Sequence, residues 1–197
     1  KTRLCFSADI ADINVLLEKL NVIGPYIAIC KIHYDIYNDV NNSLKEGLIF
    51  LSIKHNFLIM EDRKFNDISY IVNMQYKRFR NWVDLVTVMG NVNSSVIDIL
   101  SGVLLVANMS NNDYDYSDRC VEISKKYNKN MIGFITQKRL LSDNMICMTP
   151  GINLKKKSEN DQKYRSIENV DTDVIIVGRG IYKEENYIEE CIKYSKL

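Results

Sequence analysis

The stretch Phe57–Asp67, FLIMEDRKFND, opens with four apolar residues and runs straight into a packed series of charges. A solvated helix would distribute such charges around its circumference, and a tight turn would be built on Gly or Pro. The remaining reading is a buried strand whose end carries chemistry. Residues two apart along a strand share a face, so Leu58, Met60, Asp62 and Lys64 point one way. A carboxylate and an ammonium then stand side by side over an apolar floor.

The same unit recurs along the chain. Short apolar runs of strand character lie at Leu4–Ser7, Ile27–Lys31, Phe57–Asp62, Leu85–Val88, Val103–Asn108, Met131–Thr136, Met145–Thr149 and Val174–Val177. Stretches of helical period separate most of them: Val15, Leu16, Leu17 and Leu20 form one stripe, and Leu44, Leu48, Phe50 and Leu51 another. In a third, Val121 and Ile123 precede Tyr127. Strand alternating with helix calls for a parallel sheet. Repeated eight times, it predicts an α/β fold of the (β/α)8 TIM-barrel type. The intervals after the fourth and sixth runs are short for a helix plus loops, so the barrel is expected to be trimmed, with shortened or missing helices. An open doubly wound sheet is the alternative that the period leaves open.

Either fold gathers its chemistry at the carboxyl ends of the strands. There the runs end in Ser7 and Asp9, Lys31 and His33, Asp62 and Lys64, Met109 and Ser110, Thr149-Pro150-Gly151, and Gly178-Arg179-Gly180. Lys31, at the end of the neighbouring strand, would flank Asp62 and Lys64. Alternating signs keep each group ionised despite partial burial. Such preorganised charge suits a reaction in which charge moves, such as protonation of a developing carbanion. A structural ion-pair cluster at a barrel rim would use the same residues. The run IIVGRG, residues 175–180, adds glycines that let backbone N–H groups face an anion, and an Arg179 fork matched to phosphate oxygens.

The composition fits one core: 197 residues, 46% hydrophobic and 26% charged, with a formal net charge of +1. A balance so close to neutral does not suggest a nucleic-acid or membrane surface, and the run Lys155-Lys156-Lys157 reads as a solvated loop. Five widely spaced cysteines without a CxxC read as reduced thiols in a cytoplasmic protein. No run approaches the ~20 apolar residues of a membrane span, and Lys1–Asp9 lacks the apolar core of a signal peptide. Residues 1–197 are expected to form a single domain.

With these residues in hand, the chain resembles the orotidine 5'-monophosphate decarboxylase family. The segments that carry the resemblance are LCFSAD (4–9), ICKIHYDI (29–36), FLIMEDRKFNDI (57–68), MIGFIT (131–136), MTPG (148–151), DQKYRS (161–166) and DVIIVGRGI (173–181). They run in family order over nearly the full length, and are most like the decarboxylase half of the bifunctional animal enzyme. The DxKxxD core joined to an upstream K-x-H and a downstream VGRG makes the combination specific.

The resemblance implies decarboxylation of orotidine 5'-monophosphate to UMP in pyrimidine biosynthesis, without metal or organic cofactor. The family's Lys–Asp–Lys–Asp tetrad falls on Lys31, Asp62, Lys64 and Asp67. Lys64 is then the proton donor to C6 of the pyrimidine, Asp62 sits against the departing carboxylate, and Lys31 bridges the network and the ribose. Asp67, with Ile68 beside it, is expected to enter the partner's site in a homodimer. Ser7 and Ser110, with Met109 before it, would meet the base; Asp9 and His33 the ribose; Pro150 the surroundings of C5. Gln162, Tyr164, Gly178 and Arg179 would hold the phosphate. His33 is expected to bond rather than to act as acid or base, and His55 to face solvent.

Several positions depart from the family pattern. Ile71 replaces a Thr that touches the ribose across the dimer. Thr87-Val88-Met89 stands where the family has Asn-Ala-His, and the loop after Ser110 is shorter and lacks glycines. Within these residues, the helix before the first strand is expected to be absent and the last helix to be short. These departures motivate the alternative of a weak or inactive barrel kept for nucleotide binding or protein interaction. A third reading, one half of a bifunctional synthase, finds no DD-x-x-T-G segment for phosphoribosyl transfer in these residues.

Overall fold

The structure is a computed structural model, and it describes residues 2–39, 42–109, 113–155, 158–159, 162–165, 167 and 170–197. Eight parallel strands close into a barrel: β1 (Leu4–Ser7), β2 (Ile29–Ile32), β3 (Leu58–Phe65), β4 (Leu85–Met89), β5 (Val103–Val106), β6 (Met131–Ile135), β7 (Ile146–Pro150) and β10 (Val174–Val177). β10 pairs with both β7 and β1, which completes the ring. Between them β8 (Ser158–Glu159) and β9 (Gln162–Lys163) form a separate antiparallel hairpin. The expectation of a trimmed barrel is met, and the open sheet is excluded by closure.

The strands form because their residues are apolar on both faces, as a barrel requires. Cys5, Ile29, Met60, Leu85, Leu104, Val106, Ile135, Met148 and Ile176 fill the interior. Their outward neighbours pack under the helices, with Phe6, Cys30, Ile59, Val86, Leu105 and Ile175 in the outer core. Each large apolar side chain so buried contributes roughly 1.5–3 kcal/mol. β6 carries Gly133 opposite Ile146, where an added Cβ would lie 2.0 Å from the Ile146 carbonyl oxygen. Any side chain there would force the two strands apart.

The helices are unequal. α1 (Ile13–Ile23) is capped by Asp12, whose carboxylate accepts from the amides of Asn14 and Val15. α2 (Ser43–His55) buries Leu44, Leu48 and Leu51 and meets α1 where Gly47 lies against the Leu17 side chain. Phe50, read as part of that stripe, is instead 63% exposed, because it lies about 100° round the helix from Leu51. His55 ends α2, partly covered against Gly24 rather than freely solvated. α3 (Ser69–Tyr76) follows β3, and α4 (Ser117–Lys126) follows β5. After β4 there is a 3₁₀ helix, Ser94–Ile99, and residues 136–145 between β6 and β7 contain no helix. α5 (Arg179–Tyr182) and α6 (Tyr187–Ser195) close the chain around the ring. Among the described residues, no helix is long and apolar enough to cross a membrane.

Candidate active site

The inward alternation of β1 to β4 ends in four polar side chains. Ser7 is inward on β1, Lys31 on β2, Asp62 on β3 and Thr87 on β4, each one step beyond an apolar residue of the inner core. Asp62 is the hub. It bonds the Lys31 ammonium at 2.8 Å and the Lys64 ammonium at 2.9 Å. The Thr87 hydroxyl donates to it at 2.8 Å, and His33 Nε2 lies 3.1 Å away. The other ring nitrogen of His33 is 2.8 Å from Asp9, which also accepts from the Ser7 hydroxyl at 3.1 Å.

Burial works against each of these charges, and the partners outweigh it. Desolvation alone would raise Asp62, but Lys31, His33 and Lys64 hold it well below the ordinary carboxylate range. Desolvation would lower Lys31, and Asp62 with Asp9 pushes it up instead. His33 is likewise raised, its burial outweighed by hydrogen bonds to Asp62 and Asp9. With a carboxylate at both nitrogens, an imidazolium satisfies both contacts and a neutral ring only one.

Lys64 reaches the site by an unexpected backbone route. The face alternation holds as far as Asp62, but β3 and β4 then fall out of step. Glu61 pairs with Val86 and Phe65 with Val88, so Asp62, Arg63 and Lys64 together face Thr87 alone. Lys64 sits in the left-handed region at φ +53°, rare for a residue with a side chain. Its amide donates to the Thr87 hydroxyl at 2.8 Å in place of a ladder carbonyl.

The cluster forms one wall of a cleft of about 240 Å³ at the carboxyl ends of the strands. The opposite wall is apolar, made by Val106, Met109, Ile135, Pro150 and Ile176. Gly178, Arg179 and Gly180 follow β10 at the rim, with the Arg179 guanidinium 5.8 Å from the Tyr164 ring. A side chain at Gly180 would meet the Tyr194 hydroxyl at 2.7 Å, so only glycine lets the chain pass here. A ligand in this cleft would have cations at both ends and an apolar middle. Among the described residues, no group of three or more His, Cys, Asp and Glu side chains is placed to hold a metal ion.

The family model for orotidine 5'-phosphate decarboxylase / HUMPS proteins matches residues 2–194. The chain belongs to this family. The orotidine 5'-phosphate decarboxylase of Pichia kudriavzevii is 36% identical over 228 residues, covering 100% of this chain and 86% of that protein. The uridine 5'-monophosphate synthase of Bos taurus is 34% identical over 218 residues, again across 100% of the chain but only 45% of the bovine protein. Among solved structures, orotidine 5'-monophosphate decarboxylase of Methanocaldococcus jannaschii, complexed with the inhibitor BMP, superposes with a TM-score of 0.76. At 20% identity over 99% of this chain and 97% of that one, it shows the same fold. The named decarboxylases among these relatives are carbon–carbon lyases.

Of the candidates for a decarboxylase site, Ser7, Asp9, Lys31, His33, Asp62, Lys64, Met109, Pro150, Tyr164, Gly178 and Arg179 line the cleft. Asp67 and Ile68 do not. Both are exposed beyond the end of β3, where Asp67 accepts from the Ile68 amide at 2.7 Å. Ser110 lies outside the described residues, as does the side chain of Gln162, whose backbone is part of β9. Thr87 is fully buried against Asp62 and was not among the candidates. Its signal was present: a lone hydroxyl at an inward position of an otherwise apolar strand needs a polar partner.

Proposed function

We propose that this chain decarboxylates orotidine 5'-monophosphate to UMP in pyrimidine biosynthesis, with Lys64 as the proton donor. The observation that carries the reading is the Asp62 carboxylate held between two ammonium groups, Lys31 at 2.8 Å and Lys64 at 2.9 Å, on one wall of the cleft. The bond from C6 of the pyrimidine to its carboxylate breaks, and the electron pair stays on C6. Carbon dioxide leaves, and Lys64 delivers a proton to C6 and regains one from water.

Asp62, kept ionised, faces the substrate carboxylate and favours loss of that charge, while the fixed Lys64 ammonium stabilises negative charge at C6. Binding of the remote phosphate by Arg179, Gly178, Gln162 and Tyr164 draws the carboxylate into this field, so distant binding energy serves activation. Ser7 and Ser110, beside Met109, hold the base, Pro150 packs near C5, and Lys31, Asp9 and His33 hold the ribose. The chain acts as one decarboxylase unit in the cytoplasm. It works as a homodimer, in which Asp67 and Ile68 enter the site of the partner subunit. The exposed Ile68, Tyr70 and Met74, 66%, 69% and 54% accessible, support an interface beside β3.

The test is ultraviolet monitoring of orotidine 5'-monophosphate with the wild type and with Lys64→Ala. Loss of substrate absorbance with wild type alone supports the reading and places the chemistry on Lys64. A folded wild type that binds UMP but never turns over substrate would leave a nucleotide-binding barrel, the outcome that Ile71 motivates.

A further inference from the structure

We propose that Thr87 is a positioning residue that sets the Lys64 ammonium against Asp62 by filling the bulge between β3 and β4. The inference rests on the decarboxylase reading for its kinetic consequence, but not for its geometry. Three residues of β3, Asp62 to Lys64, span the place where β4 offers only Thr87. A bulge leaves backbone groups without ladder partners. Thr87 supplies the substitute: its oxygen accepts from the Lys64 amide at 2.8 Å, and its proton goes to Asp62 at 2.8 Å. The Lys64 amide can only donate and the ionised Asp62 carboxylate can only accept, so the hydroxyl proton goes to Asp62.

One atom therefore joins the backbone that aims Lys64 to the carboxylate that its ammonium meets 2.9 Å away. The left-handed backbone of Lys64 is costly by itself and persists where surroundings over-determine it. Thr87 is 0% exposed, so water cannot take the place of its hydroxyl. The shape of the side chain also matters. A β-branched residue is stiff at χ1, which keeps the oxygen between its two partners.

Thr87→Val keeps the shape and removes the hydroxyl. The Lys64 amide is expected to exchange with solvent about tenfold faster or more, read residue by residue by NMR. Turnover should fall about tenfold to a hundredfold through misplacement of the proton donor. KM and UMP affinity should move by less than about threefold, since the phosphate grip is remote. Thr87→Ser should recover most of both losses. Should Thr87→Val not fold, Thr87→Cys, a weaker donor of similar size, is expected to show intermediate turnover. An unchanged Lys64 exchange rate in the Val variant, or a Cys variant at wild-type turnover, overturns the proposal. So does a loss of UMP binding that matches the loss of kcat, which would mean general damage to the barrel. A wild type without turnover would end the decarboxylase reading, and the exchange measurement would still decide the role of Thr87.

Discussion

Glu61 and Asp62 are consecutive in β3, face opposite sides of the sheet, and lie in opposite protonation regimes. Asp62 faces the cations of the cleft and is held ionised. Glu61, 1% exposed on the outer side, accepts from the Tyr34 amide at 3.0 Å, and burial pushes its carboxyl up to about 7. One peptide unit separates a carboxylate held ionised by its cations from a carboxyl that burial pushes up to about 7.

The raised Glu61 fixes the sign of a pH dependence. The folded state holds this proton more tightly than the unfolded state does, so its stabilisation is full below about 4.5 and is lost as pH rises through about 7. The raised His33 acts in the same sense, losing its contribution as pH climbs past its folded value. The protein is expected to be less stable at pH 8 than at pH 5, with Glu61 accounting for about 2–3 kcal/mol. Urea unfolding at both pH values would check this, with Glu61→Gln expected to flatten the slope. An unaltered slope in that variant would remove Glu61 from the account.

Asp62→Asn should destabilise the fold as well as end catalysis. Lys31, 5% exposed, loses the carboxylate that keeps it charged. Removing one partner of a buried pair costs about 3–5 kcal/mol. A denaturation midpoint equal to the wild type would show that other groups carry the charge balance.

Two inactive variants should complement each other in a homodimer. When Lys64→Ala and Asp67→Asn proteins are mixed and allowed to exchange subunits, each mixed dimer holds one site with both native residues. Random mixing should restore about a quarter of wild-type turnover. Activity that stays at the level of the parents would mean that Asp67 serves its own chain or none.

Ile71→Thr should improve the enzyme. Ile71 is partly buried on α3 and is not among the residues that line the cleft. In the proposed homodimer, a hydroxyl at this position would offer the partner's ribose one neutral hydrogen bond, about 0.5–1.5 kcal/mol, or roughly two- to twelvefold in KM. No change in KM would argue that this face never meets the nucleotide.

Much of the barrel was legible in the residues, for a physical reason. Leu4–Ser7 and Val174–Val177 are buried on both faces, so each reads as an unbroken apolar run with sharp polar ends. The β8–β9 hairpin was not read, since Ser158, Glu159, Gln162 and Lys163 carry no apolar pattern. The candidates on β1, β2 and β3 converge because a closed parallel sheet carries every strand end to one rim. The bulge was invisible, because Lys64 keeps the parity of a regular strand while its backbone departs from one. Thr87 was passed over for a related cause: a short hydroxyl among Leu85, Val86, Val88 and Met89 resembles ordinary strand composition.

The two walls of the cleft come from separate arcs of the ring. Strands β1 to β4 bear the charged network, whereas β5, β6, β7 and β10 bear Val106, Ile135, Pro150 and Ile176. In the proposed decarboxylase, selectivity and reactivity are therefore expected to lie on different arcs. Randomising the apolar arc would retune which ring system is admitted while the reactive arc stays untouched, and a library confined to those four positions is the natural starting point for redesign.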